Sequence, residues 1–182
     1  LVPLRDLNTW KHLKGIKTGD LGPKYGYSSK DNGWATFDNV RIPKSNILPG
    51  VKGLKGPLTC LNSARYGISW GAIGAAMDCY ESAKKYAAQR QQFGKPIGGF
   101  QLQQKKLAEM LTEITKAQLL CWRLGNLMNA GKATPAQISL AKRNNVEIAM
   151  NIAREARQMH GGMGITGEYP MMRHMMNLES VV

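Results

Sequence analysis

Acid is short in this sequence: 12 Asp and Glu stand against 25 Lys and Arg, a formal net charge of +13 at pH 7. The excess favours anionic partners, whether nucleic acid, a membrane surface or a phosphate-bearing ligand. It is spread along the 182 residues with no run of five like charges, which argues against a nucleic-acid tail. Cysteine is scarce too. Cys60, Cys79 and Cys121 are far apart, odd in number and without a CxxC pair. A zinc site or disulfide framework is therefore not expected, and each thiol is read as filling core space. His12, His160 and His174 have no metal-ligand spacing, and neither a Ser-His-Asp order nor GxSxG occurs. No apolar run reaches the roughly 18 residues of a membrane span. No signal peptide opens the chain. It begins in mid-pattern at Leu1-Val-Pro-Leu without Met and stops in mid-pattern at Val181-Val182, so a piece of a longer protein is expected.

What is present has two characters. Residues 1 to about 56 read as β and turn, broken every few positions by Gly15, Gly19, Gly22, Pro23, Gly26, Gly33 and Pro43. Asp31-Asn32-Gly33 signals a turn, and the alternation from Trp34 to Ile42 predicts a strand with Trp34, Thr36, Val40 and Ile42 on one face. Pro49 to Pro57 reads as a linker or exposed loop.

From about residue 60 the apolar period changes from 2 to 3.6. Asn62 or Ser63 can cap a first helix running to about Gln91, with Ile68, Ala72, Ala75, Ala76, Cys79 and Ala83 buried. A second helix is predicted from about Gly99 to Asn129. Its seam, Leu107, Met110, Ile114, Ala117, Cys121, Leu124 and Met128, follows the 3-4 spacing of left-handed bundle packing. Thr134 caps a third helix with Pro135 at its first position. Ile138, Ala141, Ile148, Ile152, Ala156 and Met159 form its inner stripe. A fourth starts near Tyr169-Pro170. The expected fold is mainly α, a four-helix bundle over 57–182 preceded by a partial β-domain and linker over 1–56.

Three places can carry chemistry. Arg90-Gln-Gln-Phe-Gly-Lys-Pro-Ile97, with Gln101 after it, ends one helix and opens the next. It sets a guanidinium fork, a flat ring (Phe93) and exposed backbone at one bend, as a large anionic cofactor with a planar end requires; an ordinary basic turn reads equally well. Gln158-Met159-His160-Gly161-Gly162 can cradle phosphate on backbone N–H groups freed of Cβ, or simply end a helix. Leu58-Thr59-Cys60-Leu61-Asn62-Ser63-Ala64-Arg65 puts Arg65 near a helix start, where anions are favoured, or is a capping cluster.

Taken in order, these motifs resemble one family. ARYGISWGAIGAAMDCYESAKKYAAQRQQFGKPIGGFQLQQKKLAEMLTEI is similar to the C-terminal domain of acyl-CoA dehydrogenases, and QMHGGMGITGEYPMMRHMMNLESVV continues the likeness. PLTCLNSARYGISWG and RHMMNLES resemble the glutaryl-CoA type. Residues 1–48 look more like the middle β-domain, barrel-like in that fold, of peroxisome-type acyl-CoA oxidases. The resemblance implies a flavoenzyme, usually a homotetramer, with FAD between subunits. It places Arg90 on the pyrophosphate, Phe93 and Gln101 beside the cofactor, and Gln158 to Gly162 on a neighbouring subunit's FAD. Leu58 to Arg65 would line the acyl-CoA site.

The family's reaction removes an α-proton by a carboxylate and a β-hydride by flavin. The resemblance puts the base in a Tyr-Glu-Gly-Thr type motif beyond Val182, so no catalytic residue is expected within the chain and the piece alone is expected to be inactive. Ala64 occupies the alternative position, and Glu179 does not match the motif. The implied reaction is oxidation of glutaryl-CoA with decarboxylation to crotonyl-CoA, with an electron-transfer flavoprotein as acceptor and no nucleic acid or membrane insertion. Mitochondrial matrix or bacterial cytoplasm is the implied setting. An acyl-CoA oxidase of peroxisomes, passing electrons to oxygen, and a non-catalytic basic helical binding module are the alternatives.

Overall fold

The computed structural model describes residues 1–182 and divides into two compact units, Leu1–Leu58 and Thr59–Val182. In the first, β1 (Ile16–Asp20) pairs antiparallel with β2 (Gly33–Phe37), from Ile16 opposite Phe37 to Asp20 opposite Gly33. A side chain at Gly19 would strike the Trp34 ring at 2.5 Å, so the cross-strand indole accounts for that glycine. The strand is shorter than its alternation predicts. Asn39 turns the chain at φ +49, which leaves Val40 and Ile42 outside the face that carries Trp34. Asp31-Asn32-Gly33 marks the entry to β2 and is no tight hairpin, since β1 ends back at Asp20.

Helix α1 (Lys55–Gln89), which belongs to the second unit from Thr59 onward, packs there with α2 (Gln101–Asn129), α3 (Pro135–Met159) and α4 (Met171–Glu179) around a main core, beside a smaller cluster of Leu124, Ile138 and Ala141. Helix α1 starts earlier than expected. Pro57 falls at its third residue, where backbone N–H groups have no intrahelical acceptor, so proline costs little there. Asn62 and Ser63 therefore lie inside the helix and cap nothing; the Ser63 hydroxyl donates back to the Thr59 carbonyl at 3.4 Å.

Most of each predicted stripe is buried, but α3 also buries Asn145, Val146, Ala149, Met150 and Ala153, and α1 also buries Ser69, Ile73 and Ala87. Ala72, Ala76, Cys79 and Ala83 of α1 meet Met110, Ile114, Ala117 and Cys121 of α2 and Ile152, Ala156 and Met159 of α3 in one cluster. Ile68, Ala75, Leu107 and Ile148 border it half-buried. Met171 and Leu178 close it from α4. The small α1 residues let the helices approach closely, as does Gly125, where a Cβ would stand 2.7 Å from the Tyr66 hydroxyl. Thr134 and Gln137 form a reciprocal cap at the start of α3, the Thr134 hydroxyl accepting from the Gln137 N–H at 3.3 Å and the Gln137 amide oxygen from the Thr134 N–H at 2.9 Å. Fully buried Asn145 donates to the Cys121 sulfur at 3.0 Å and the Ser69 carbonyl at 3.3 Å, tying α3 to both neighbours.

One expectation about the thiols fails. Cys79 and Cys121 are core residues, whereas Cys60 is exposed. The early start of α1 puts Cys60 in the helix ahead of the packed stretch that begins at Ser69.

Candidate functional site

Beyond Gln89 the chain makes a miniature hairpin. β3 (Gln91–Gln92) pairs with β4 (Lys95–Pro96), leaving Phe93 and Gly94 as its two loop residues. Their φ values of +53 and +79 are those of the turn whose twist suits a two-residue hairpin. Gly94 adopts this freely. Phe93 does so at a cost of about 1–2 kcal/mol, and the residue is 92% exposed. Strain and exposure on one aromatic mark a residue held for something outside the fold.

The hairpin is pinned from both sides. The Ile97 N–H donates to the Arg90 carbonyl at 2.8 Å. Phe93 meets Phe100 edge-on at 6.2 Å between ring centres, and the Lys95 ammonium stands 4.4 Å over the Phe100 ring. A Cβ at Gly98 would lie 3.1 Å from the Ala87 carbonyl, so the turn rests against the end of α1.

The end of α3 comes to the same place. His160 follows Met159, is 2% exposed, and is stacked on Tyr86 with ring centres 4.3 Å apart. Tyr169 lies 4.6 Å away on the same ring. Its Nδ1 is 2.8 Å from the Ala156 carbonyl, which can only accept, so Nδ1 carries the proton. Nε2 is then left to accept from the Ser82 hydroxyl at 3.4 Å. Burial lowers the His160 pKa against the opposing effect of the Ala156 bond, favouring the neutral ring.

Gly161 turns the chain at φ +57, and a Cβ at Gly161 or Gly162 would meet open space. Gly164 is different in kind: a Cβ there would stand 2.4 Å from the Arg157 carbonyl.

Between hairpin and α3 end lies a cavity of about 670 Å³, within the ~300–1,000 Å³ of small-molecule sites. Arg90, Phe93, Gln158, Met159, His160, Gly161 and Gly162 all line it, so the structure joins two of the three sequence motifs. The Arg90 guanidinium has no carboxylate partner within the fold. No carboxylate lines the cavity at all, which suits it to a polyanion. Gln101, the first residue of α2, is not in the lining; Gln103 is.

Tyr86, Phe100 and Gln103 were not singled out from sequence. The four-residue step from Tyr86 to Arg90 does put both on one helix face. Gln103 carries a second signal visible only in three dimensions: its amide oxygen is buried and has no hydrogen-bond partner.

The Leu58 to Arg65 segment stays apart from this cavity. It occupies the early turns of α1, where Leu58 and Leu61 are about half exposed and Arg65 donates to the Asn62 amide oxygen at 3.3 Å. Arg65 is not in a first helical turn as expected, because α1 begins ten residues before it at Lys55. Along α1, Arg65 and Arg90 are about 38 Å apart at ~1.5 Å per residue.

Residues 51–181 match the C-terminal domain of acyl-CoA dehydrogenases. The chain is similar to the glutaryl-CoA dehydrogenase of Desulfococcus multivorans, 35% identical over 166 residues that cover 90% of this chain and 42% of that one. The mitochondrial short/branched chain specific acyl-CoA dehydrogenase of Bos taurus is 33% identical, covering 88% and 38%. Among solved structures, glutaryl-CoA dehydrogenase from Mycobacterium smegmatis superimposes with a TM-score of 0.89 at 50% identity, over 92% of this chain and 43% of that one. A glutaryl-CoA dehydrogenase from the same organism in complex with FADH2 does so at 0.89 and 45% identity, over 92% and 44%. The chain thus spans about two-fifths of the relatives it matches.

Proposed function

Because the chain belongs to the acyl-CoA dehydrogenase family, we propose that it forms the flavin-holding helical part of an enzyme that oxidises acyl-CoA thioesters between Cα and Cβ. The substrate we propose is glutaryl-CoA, dehydrogenated and decarboxylated to crotonyl-CoA. The observation that carries the reading is the single cavity uniting Arg90, Phe93 and Gln158 to Gly162.

The residues fit FAD. Arg90, unpaired and acid-free in its surroundings, offers a planar fork to the pyrophosphate. Gly161 and Gly162 leave room for phosphate or sugar against the backbone. Phe93, Phe100, Ile97 and Met159 give a flat apolar ring a surface. His160 acts from behind: both ring nitrogens are engaged within the fold, so it holds the glycine turn in place and leaves recognition to its neighbours. Gln101 keeps its assignment on the family resemblance alone.

When bound, FAD supplies the hydride acceptor for the β-hydrogen. The chain's own part is to bind and orient. Leu58 to Arg65 is proposed to border the acyl-CoA, with Arg65 as its polar contact. Its ~38 Å separation from Arg90 supports a cofactor shared between subunits, and we propose a homotetramer that passes electrons to an electron-transfer flavoprotein. No helix is long and apolar enough to cross a membrane; the proposed setting is a mitochondrial matrix or bacterial cytoplasm.

No carboxylate lines the cavity to take the α-proton. Ala64 has no acidic group, and Glu179 is held by Arg154 at 2.9 Å on the surface. The purified 182-residue chain is therefore expected to bind FAD without oxidising glutaryl-CoA. Titration with FAD, followed by anaerobic addition of glutaryl-CoA, tests both parts. Arg90→Gln should weaken FAD binding roughly tenfold or more, as loss of a charge-assisted bidentate contact does, and leave the melting temperature unchanged. Unaltered FAD affinity in that variant, or flavin reduction by the wild-type chain, contradicts the reading. In the enzyme that carries this chain, dehydrogenation of glutaryl-CoA without CO2 release would refute the decarboxylation, and failure to oxidise glutaryl-CoA would refute the substrate.

A further inference from the structure

Of the polar side chains around the cavity, Gln103 is the one whose chemistry the fold leaves unfinished. It is the third residue of α2, and it is partly covered. Its backbone N–H is satisfied by the Phe100 carbonyl at 3.0 Å. Its side chain makes no hydrogen bond, and Oε1, shielded from water, is the single buried side-chain polar atom in the molecule without a partner. An amide oxygen left so forfeits the bond it had with water, a cost that folded proteins rarely tolerate without a purpose. Neighbouring glutamines differ: Gln104 donates to the Gly98 carbonyl at 3.0 Å.

The surroundings define what would complete Gln103. Phe100, Leu102, Ile97 and Met159 line the same cavity and offer apolar contact to a planar ring. Arg90 and the Gly161–Gly162 backbone line the same cavity and suit phosphate. A terminal amide turns readily about its last bond, and it presents an acceptor beside a donor. That pair is complementary to the edge of adenine, where a 6-amino donor adjoins a ring-nitrogen acceptor.

We propose that Gln103 is a specificity residue that reads the adenine edge of the bound nucleotide. The 6-amino group donates to Oε1, and Nε2 donates to a ring nitrogen. This rests on the reading of the cavity as the cofactor site and adds to it a residue, a ligand atom and a preference for adenine.

The test uses the 182-residue chain with ADP, FAD and purine riboside diphosphate, an ADP analogue lacking only the 6-amino group. Wild type should bind ADP roughly tenfold or more tighter than the analogue, the discrimination of a good bidentate base contact. Gln103→Leu, which removes the orphaned oxygen, should bind both diphosphates equally and at the analogue's level. Its melting temperature should hold or rise. A wild type that does not discriminate, or a Gln103→Leu variant that still does, overturns the role of Gln103 and leaves the cofactor site standing. Equal weakening of both diphosphates by Gln103→Leu, with discrimination intact, assigns the amide to a sugar hydroxyl and likewise overturns adenine readout. Binding of neither FAD nor ADP to wild type removes the cofactor site, and the proposal with it.

Discussion

His160 stacks on Tyr86 with ring centres 4.3 Å apart and planes inclined by 26°. That contact joins the last turn of α1 to the residue that follows α3, at the cavity. It needs a neutral imidazole, since protonation would place a charge in a site with 2% exposure and oblige Nε2 to donate toward a hydroxyl.

A pH dependence follows with a definite sign. Burial lowers the folded-state His160 pKa from its ordinary 6.5, so below about pH 6.5 the unfolded chain takes up the proton more readily. The stabilisation is fully present above that pH. It is lost as pH falls through 6.5 toward the folded pKa. Melting temperatures between about pH 8 and pH 5 should fall with acid, and less steeply in His160→Phe, which keeps a ring without a titrating group. Equal slopes in the two proteins would remove His160 as the cause.

Phe93 should trade stability for binding. Phe93→Asn places a residue tolerant of positive φ at the hairpin turn and should raise stability by about 1 kcal/mol. The same variant loses the exposed ring and should bind FAD more weakly. Lower stability in this variant would show that the aromatic contact with Phe100 outweighs the strain.

The thiols report on the core. Cys79 is pushed up to about 12, by burial first and by Asp78 second against a smaller opposing effect of Arg173. Burial also raises Cys121, against the hydrogen bond from Asn145. Titration with a thiol reagent at neutral pH should find one fast cysteine in the folded chain, Cys60, and all three only after unfolding. Fast reaction of a second thiol would mean that the bundle opens.

The legible parts of the sequence were those where one local rule governs. The 3-4 seam of α2 and the Thr134-Pro135 start of α3 stand where periodicity and capping put them. The start of α1 was not legible, because Gly56-Pro57 reads as a breaker until the first turn's free N–H groups are considered. The Trp34 to Ile42 alternation continues past the point where β2 leaves its partner, and alternation alone cannot show where pairing stops. Arg90 and the Gly161-Gly162 pair were recognisable as candidates, but only packing shows them on one cavity. Gln103 sits among similar glutamines at a helix start, and only burial of its oxygen distinguishes it.

The glycine turn leaves the cavity open as a cradle for the ligand. FAD affinity measured beside melting temperature for Gly162→Ala and Gly164→Ala tests this most directly. A Cβ at Gly162 meets no protein atom within 4 Å, whereas one at Gly164 would stand 2.4 Å from the Arg157 carbonyl. Gly162→Ala should therefore melt within a degree or two of wild type, on the order of a neutral surface change, and bind FAD at least about tenfold more weakly. Gly164→Ala should lose stability outright. Full FAD affinity in Gly162→Ala would contradict the account.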